Sequence, residues 1–118
     1  MHSMGSRSAT ELLQLPVQLH GIRLGRPVDL LLDPVEWRAL GFVVLCGDES
    51  SRFLVFAAAD VQEDAIALPS ALVLLEDVEF YRERSRSLRD LLHGGLSDLL
   101  VAPDGTAETV ESEHVSTA

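Results

Sequence analysis

The apolar residues of this chain fall into short runs, each closed by a turn signal, and none has the length of an ordinary helix. Val28 to Leu32 ends at Asp33-Pro34. Trp37 to Cys46 is longer, rich in β-branched and aromatic residues, and stops at Gly47-Asp48. Phe53 to Ala57 comes next across Asp48-Glu49-Ser50-Ser51, a spacing that predicts a hairpin. Val61 to Leu68 is divided by Glu63-Asp64, and Ala71 to Leu75 begins after Pro69-Ser70. Runs of this length, recurring between turn residues, predict a mainly β domain of barrel or sandwich type. Earlier in the chain, Pro16 cannot donate a ladder hydrogen bond, so a strand within Glu11 to Leu19 belongs at an edge or starts after it. Gly21 and Gly25 are read as punctuating a turn. Residues 76–84 differ, with strong helix formers, acids first and arginines later. That order suits the helix dipole and predicts a short helical segment.

A chain of 118 residues makes one domain, and an apolar content of 47% supplies a core, which argues against disorder. The expected domain covers residues 11–110, between a flexible leader at 1–10 and a flexible acidic tail at 111–118. The basic residues are nine arginines; lysine and asparagine are both absent. Schiff-base catalysis and a P-loop lysine are therefore excluded. Nineteen acidic residues against those nine leave a net charge of −10. Such a surface opposes nucleic acid, whose binding depends on cations neutralising phosphates. Arg82, Arg84, Arg86 and Arg89 form the one candidate basic patch. Glu79, Glu83 and Asp90 interleave with them, which makes a solvated mixed-charge face the better reading. Cys46, the sole cysteine, lies in an apolar run and reads as a buried, inert thiol. No apolar stretch approaches the ~20 residues that span a bilayer, and Met1 to Thr10 lacks the apolar region of a signal peptide. A cytoplasmic location without membrane insertion is the expectation.

The chain partly repeats itself. Leu19-His20-Gly21 is echoed by Leu92-His93-Gly94, and Asp29-Leu30-Leu31-Leu32-Asp33-Pro34 by Asp98-Leu99-Leu100-Val101-Ala102-Pro103. These echoes place a first copy at residues 15–75 and a degraded second copy at 88–110. The second copy offers only two strands, Leu96 to Val101 and Ala107 to Val110, which cannot stand alone in water. They could close their own barrel in a monomer, but with Leu88, Leu91, Leu92, Leu96, Leu99 and Leu100 nearby they are expected to pair with the same strands of a second chain in a homodimer.

Leu15-Pro16-Val17, then Gly25 to Pro34, then Ala39-Leu40-Gly41-Phe42-Val43-Val44 resemble the opening of a PRC-barrel. The stretch Ala59 to Leu68 is similar to that family's closing strands. The resemblance implies a small, strongly bent antiparallel β-barrel. The family includes the cytoplasmic domain of a photosynthetic reaction-centre subunit and the C-terminal domain of a ribosome maturation factor. The separate N-terminal domain of the latter and the transmembrane helix of the former have no counterpart here, so neither role carries over.

Chemistry-bearing residues are sparse. His20 and His93 precede glycines in the echoed blocks, whereas a metal site needs three or four ligands at suitable spacing. They read as solvent-facing turn residues, and His2 and His114 as tail residues. Asp29, Asp33 and Glu36 lie close together, as do Asp98 and Asp104, and structural turn roles are the simpler account. No Gly-x-Ser-x-Gly, His-Glu-x-x-His or phosphate-cradling glycine loop occurs. No catalytic, cofactor-binding or metal-binding residue is assigned, and no cofactor. The expected function is a non-catalytic interaction or adaptor module, docking a protein partner or a second copy of itself; the alternative is a small-ligand or metal-binding β-barrel.

The charge balance predicts that duplex DNA and RNA are not bound. In a gel shift at ~150 mM salt, where phosphate contacts are already weakened, no complex should form at micromolar protein; a retarded band would overturn the expectation.

Overall fold

The computed structural model describes residues 5–110. The acidic tail at 111–118 and the first four residues of the expected leader lie outside the described residues. In chain order the elements are β1 (Arg7–Ser8), α1 (Ala9–Leu12), β2 (Val17–Leu19), β3 (Ile22–Leu32), β4 (Ala39–Cys46) and β5 (Ser51–Val55). A 3₁₀ turn at Phe56–Ala58 leads to β6 (Asp60–Val61) and β7 (Ile66–Leu68). A second 3₁₀ turn at Ala71–Val73 precedes β8 (Leu74–Leu75) and α2 (Val78–Arg82). Then come β9 (Arg86–Ser87), α3 (Leu88–His93), β10 (Leu99–Val101) and β11 (Ala107–Thr109).

The fold is mainly β, with a strongly curled, half-barrel sheet in the order β6-β7-β2-β3-β4-β5-β8, and β9 beside β3. A smaller sheet has the order β1-β10-β11. The large sheet is not wholly antiparallel, because β2 runs parallel to β7. Its centre is the β3–β4–β5 meander, joined by the expected turn at Asp48 to Ser50. Period-two alternation sorts this meander into two faces. Leu30, Leu32, Phe42, Val44 and Leu54 fill the concave side with Leu12, Val17, Ile66, Leu88, Leu99 and Val101. Leu31, Val43 and Phe53 face the other way and are covered by Val78 of α2 and by Tyr81, whose ring stacks on Phe53 at 3.9 Å.

The helical segment expected at 76–84 is α2, started by Asp77, whose side chain accepts from Phe80 N–H. Other expectations need correction. Gly25 is not in a turn but inside β3, opposite Cys46, where the Leu45 carbonyl occupies the place of a side chain. Gly41 is pressed likewise against the Leu54 carbonyl and the Phe53 ring. At these two glycines the neighbouring strand approaches closer than any side chain would allow. Residues 7–10 are not part of a loose leader: Arg7-Ser8 pair with Val101-Leu100, and Ala9 is wholly buried.

That pairing also removes the ground for a dimer through the C-terminal half. β10 is flanked by β1 on one side and β11 on the other, within one chain. Leu88 and Leu99 are fully buried, Leu91, Leu92 and Leu96 pack on the core, and Leu100 alone of the six is exposed.

Phe42 has no exposed surface and touches Phe56, with ring centroids 6.0 Å apart. Phe42→Ala should cost about 3–5 kcal/mol, a large share of the stability of a domain this size. Gly41→Ala should cost about 1–3 kcal/mol through overpacking. Urea unfolding of both variants checks the pair, and an unchanged midpoint for either would refute its placement.

Candidate functional site

Two features organise the residues that could carry function: a pair of matched polar junctions, and an open cleft beside one of them.

The junctions come from an internal repeat, but not in the register that the Leu-His-Gly blocks suggest. His20 sits in the β2–β3 turn with φ of 53°, whereas His93 ends α3. The equivalent stretches are Arg7-Ser8-Ala9-Thr10-Glu11-Leu12 and Arg86-Ser87-Leu88-Arg89-Asp90-Leu91. Each is a two-residue strand running straight into a short helix. In both, the serine is the N-cap, its Oγ accepting from Glu11 N–H in α1 and from Asp90 N–H in α3, each at 3.2 Å. The Ser-x-x-Glu and Ser-x-x-Asp spacing was the available signal for these two helices, which run-length reasoning passes over.

The Asp-Leu-Leu echo does hold. Asp29 and Asp98 each receive the N-cap of the other copy's helix. Ser87 Oγ donates to Asp29 Oδ2 at 2.5 Å, and Asp29 Oδ1 accepts from Arg89 N–H at 3.1 Å and Leu30 N–H at 2.8 Å. Ser8 Oγ likewise donates to Asp98 Oδ2. Asp98 Oδ1 accepts from Thr10 N–H at 3.1 Å and Leu99 N–H at 2.7 Å. The strand registers match too, with Ser87 opposite Leu31 and Ser8 opposite Leu100. Between the copies, Arg38 bridges Thr106, flanked by Ala39 N–H to the Gly105 carbonyl at 2.7 Å and Ala107 N–H to the Trp37 carbonyl at 2.9 Å. Trp37 and Gly105, equivalent in this arrangement, both have positive φ, 56° and 95°. The two copies are thus related by an approximate two-fold, each lending its helix to the other.

The junctions differ in their second partners. Asp29 is 3% exposed, and Arg82 Nη1 stands 3.8 Å from its Oδ2. At Asp98 the added partner is the neutral Thr10 hydroxyl, 3.0 Å from Oδ2. Burial pushes the Asp98 carboxyl up, but hydrogen bonds from Ser8, Leu99 N–H and both groups of Thr10 outweigh it and hold it below the usual aspartate value. Backbone N–H donors at exposed turns lower Asp33 and Asp104 in the same direction, and at Asp48 the Ser50 hydroxyl leads. The carboxylates singled out in the sequence are therefore turn and capping groups. Glu36, by contrast, is exposed, and only its backbone N–H joins the Asp33 cap.

The cleft lies between α1 and the β6–β7 turn. It has a volume of about 1060 Å³ and opens to solvent along one side. Buried Leu12 and Val101 and half-buried Leu15, Phe56 and Val61 give it an apolar floor. Glu11, Gln14, Asp60, Gln62 and Glu63 line it as exposed side chains. Arg7 ties its two walls together, donating to the carbonyls of Gln62 at 3.1 Å and Glu63 at 3.2 Å. None of these residues was assigned to a site from the sequence, because the cleft joins residues near the start of the chain to its middle and β10.

Elsewhere, Arg82 and Arg84 are engaged locally. Arg82 faces Glu79 and Asp29; Arg84 donates to the Phe80 carbonyl and lies over the Phe80 ring at 3.8 Å. Cys46 is half-buried at the end of β4, packed on the core. Among the described residues, no three His, Cys, Asp or Glu side chains are grouped to hold a metal. No buried side-chain nitrogen or oxygen among them lacks a partner. No helix of the described residues is long and apolar enough to cross a membrane. No family model, curated protein or solved structure matches the chain.

Because Asp98 is depressed in the folded state, its contribution is full above the ordinary aspartate pKa of about 3.9 and is lost as pH falls through the lower folded value. Asp98→Asn should cost about 1–3 kcal/mol at pH 7. Urea midpoints measured from pH 7 to pH 2 should converge for parent and variant as the pH drops below 4. A constant gap would refute the assignment.

Proposed function

We propose that this chain is a non-catalytic protein-interaction module of PRC-barrel type, and that the cleft between α1 and the β6–β7 turn is where it docks a partner. The fold part rests on the sequence resemblance together with the curled β3–β4–β5 meander, in which Asp33-Pro34 opens the turn from β3 to β4. The interaction part rests on one observation: the cleft has an apolar floor and an exposed polar rim, and among the described residues no buried side-chain nitrogen or oxygen lacks a partner. Small-molecule sites set a few convergent polar groups into an enclosed apolar cavity of ~300–1,000 Å³. Here the cavity is at the top of that range and open, and its polar side chains stand at the mouth. An apolar centre inside a polar rim is the anatomy of a protein interface.

The test is site-specific photo-crosslinking in the native host. Benzoylphenylalanine placed at Gln14, on the cleft, should give an adduct of defined mass. The same group at Leu72, which is 87% exposed but away from the cleft, should not. Adducts from both positions, or from Leu72 alone, would refute docking at the cleft.

A further inference from the structure

We infer that the cleft selects a cationic chain segment, one that seats an apolar side chain on Leu15, Phe56 and Val61 and sets lysine or arginine against the rim. The inference rests on the cleft being a docking surface, and it names the partner's chemistry. Three carboxylates, those of Glu11, Asp60 and Glu63, line the cleft on exposed residues. Among the described residues the sole cation lining it is Arg7, and that guanidinium is committed. It donates to two backbone carbonyls across the cleft, and its Nε stands 3.9 Å from Glu11. Among the described residues neither Asp60 nor Glu63 has an arginine within ion-pair distance. Asp60 accepts from the neutral Gln62 amide, at 3.0 Å.

Among the described residues no arginine besides Arg7 lines the cleft, and several are engaged elsewhere. Arg52 pairs with Glu76, Arg82 with Glu79 and Asp29, and Arg38 donates to the Asp104 carbonyl. The whole chain carries −10, so the local field adds to a long-range one that draws cationic segments in and turns nucleic acid and anionic lipid away. The floor then sets where the segment sits. Burying an apolar side chain there removes surface from water, while the rim charges stay exposed and contribute orientation more than affinity.

Random dodecapeptides displayed on phage, selected on the full chain and counter-selected on Leu15→Gln, provide the test; Ala59→Gln serves if Leu15→Gln does not fold. Enriched peptides should combine arginine or lysine with a large apolar residue. Synthesised and labelled, they should bind more weakly to Glu11→Gln/Glu63→Gln, by roughly two- to fivefold for each carboxylate removed, and more weakly as salt rises from 50 to 500 mM. Neutral or acidic peptides that still require the cleft would overturn the charge preference and leave docking standing. No enrichment, or peptides that bind the cleft variants equally, would overturn docking as well. Light scattering of the chain alone should give its 12.9 kDa mass. A larger mass abolished by Ala59→Gln would make the occupant a second copy and overturn the inference.

Discussion

The reciprocal junctions at Asp29 and Asp98 tie β3 to the start of α3 and β10 to the start of α1. A carboxylate in an apolar interior is costly unless its lone pairs are filled. Both aspartates are filled in the same way, by their own following N–H and by the serine hydroxyl and an N–H of a helix from the other copy. The helices have four and six residues, too short to persist alone. The serine satisfies the helix end while donating to the aspartate, so helix, strand pairing and carboxylate burial support one another. Removing any one leaves an unsatisfied group in the others, which is the asymmetry that makes buried polar networks specify a single arrangement.

Much of the strand order was legible because it depends on local pattern. The β4–β5 hairpin follows from the turn residues at Asp48 to Ser50, and α2 from the ordered charges around Phe80. The features that local pattern could not reveal are long-range. Arg7-Ser8 looks like a polar leader because its strand partner lies at Leu100-Val101. Gly25 looks like a turn residue because the carbonyl that excludes its side chain belongs to Leu45. The repeat was visible in Asp29-Leu30-Leu31-Leu32 and Asp98-Leu99-Leu100-Val101. Its other half was masked by the coincidence of two Leu-His-Gly strings, while the true equivalents, Arg7-Ser8 and Arg86-Ser87, carry their likeness in capping chemistry. The candidate site was wholly illegible for a similar reason. Its floor joins Leu12, Phe56, Val61 and Val101, four positions spread over most of the chain.

The approximate two-fold makes the cleft's one-sidedness informative. α1 and α3 have the same cap and the same docking, yet of the two only α1 lines the cleft. The difference lies in the segment that leaves each helix. From α3, residues 94–98 run directly to β10. From α1, Gln14-Leu15-Pro16 leads into β2, where the Pro16 carbonyl accepts from Ile66 N–H at 2.8 Å and β2 runs parallel to β7. That parallel pair brings β7, and with it the antiparallel β6, alongside the start of the chain. The Arg7 guanidinium then clips the β6–β7 turn through the Gln62 and Glu63 carbonyls. The cleft is therefore a product of the segment by which the first copy departs from the second. The segment that distinguishes the copies supplies one wall of that surface, and Arg7, Glu11, Leu12 and Val101 of the shared blocks supply the other.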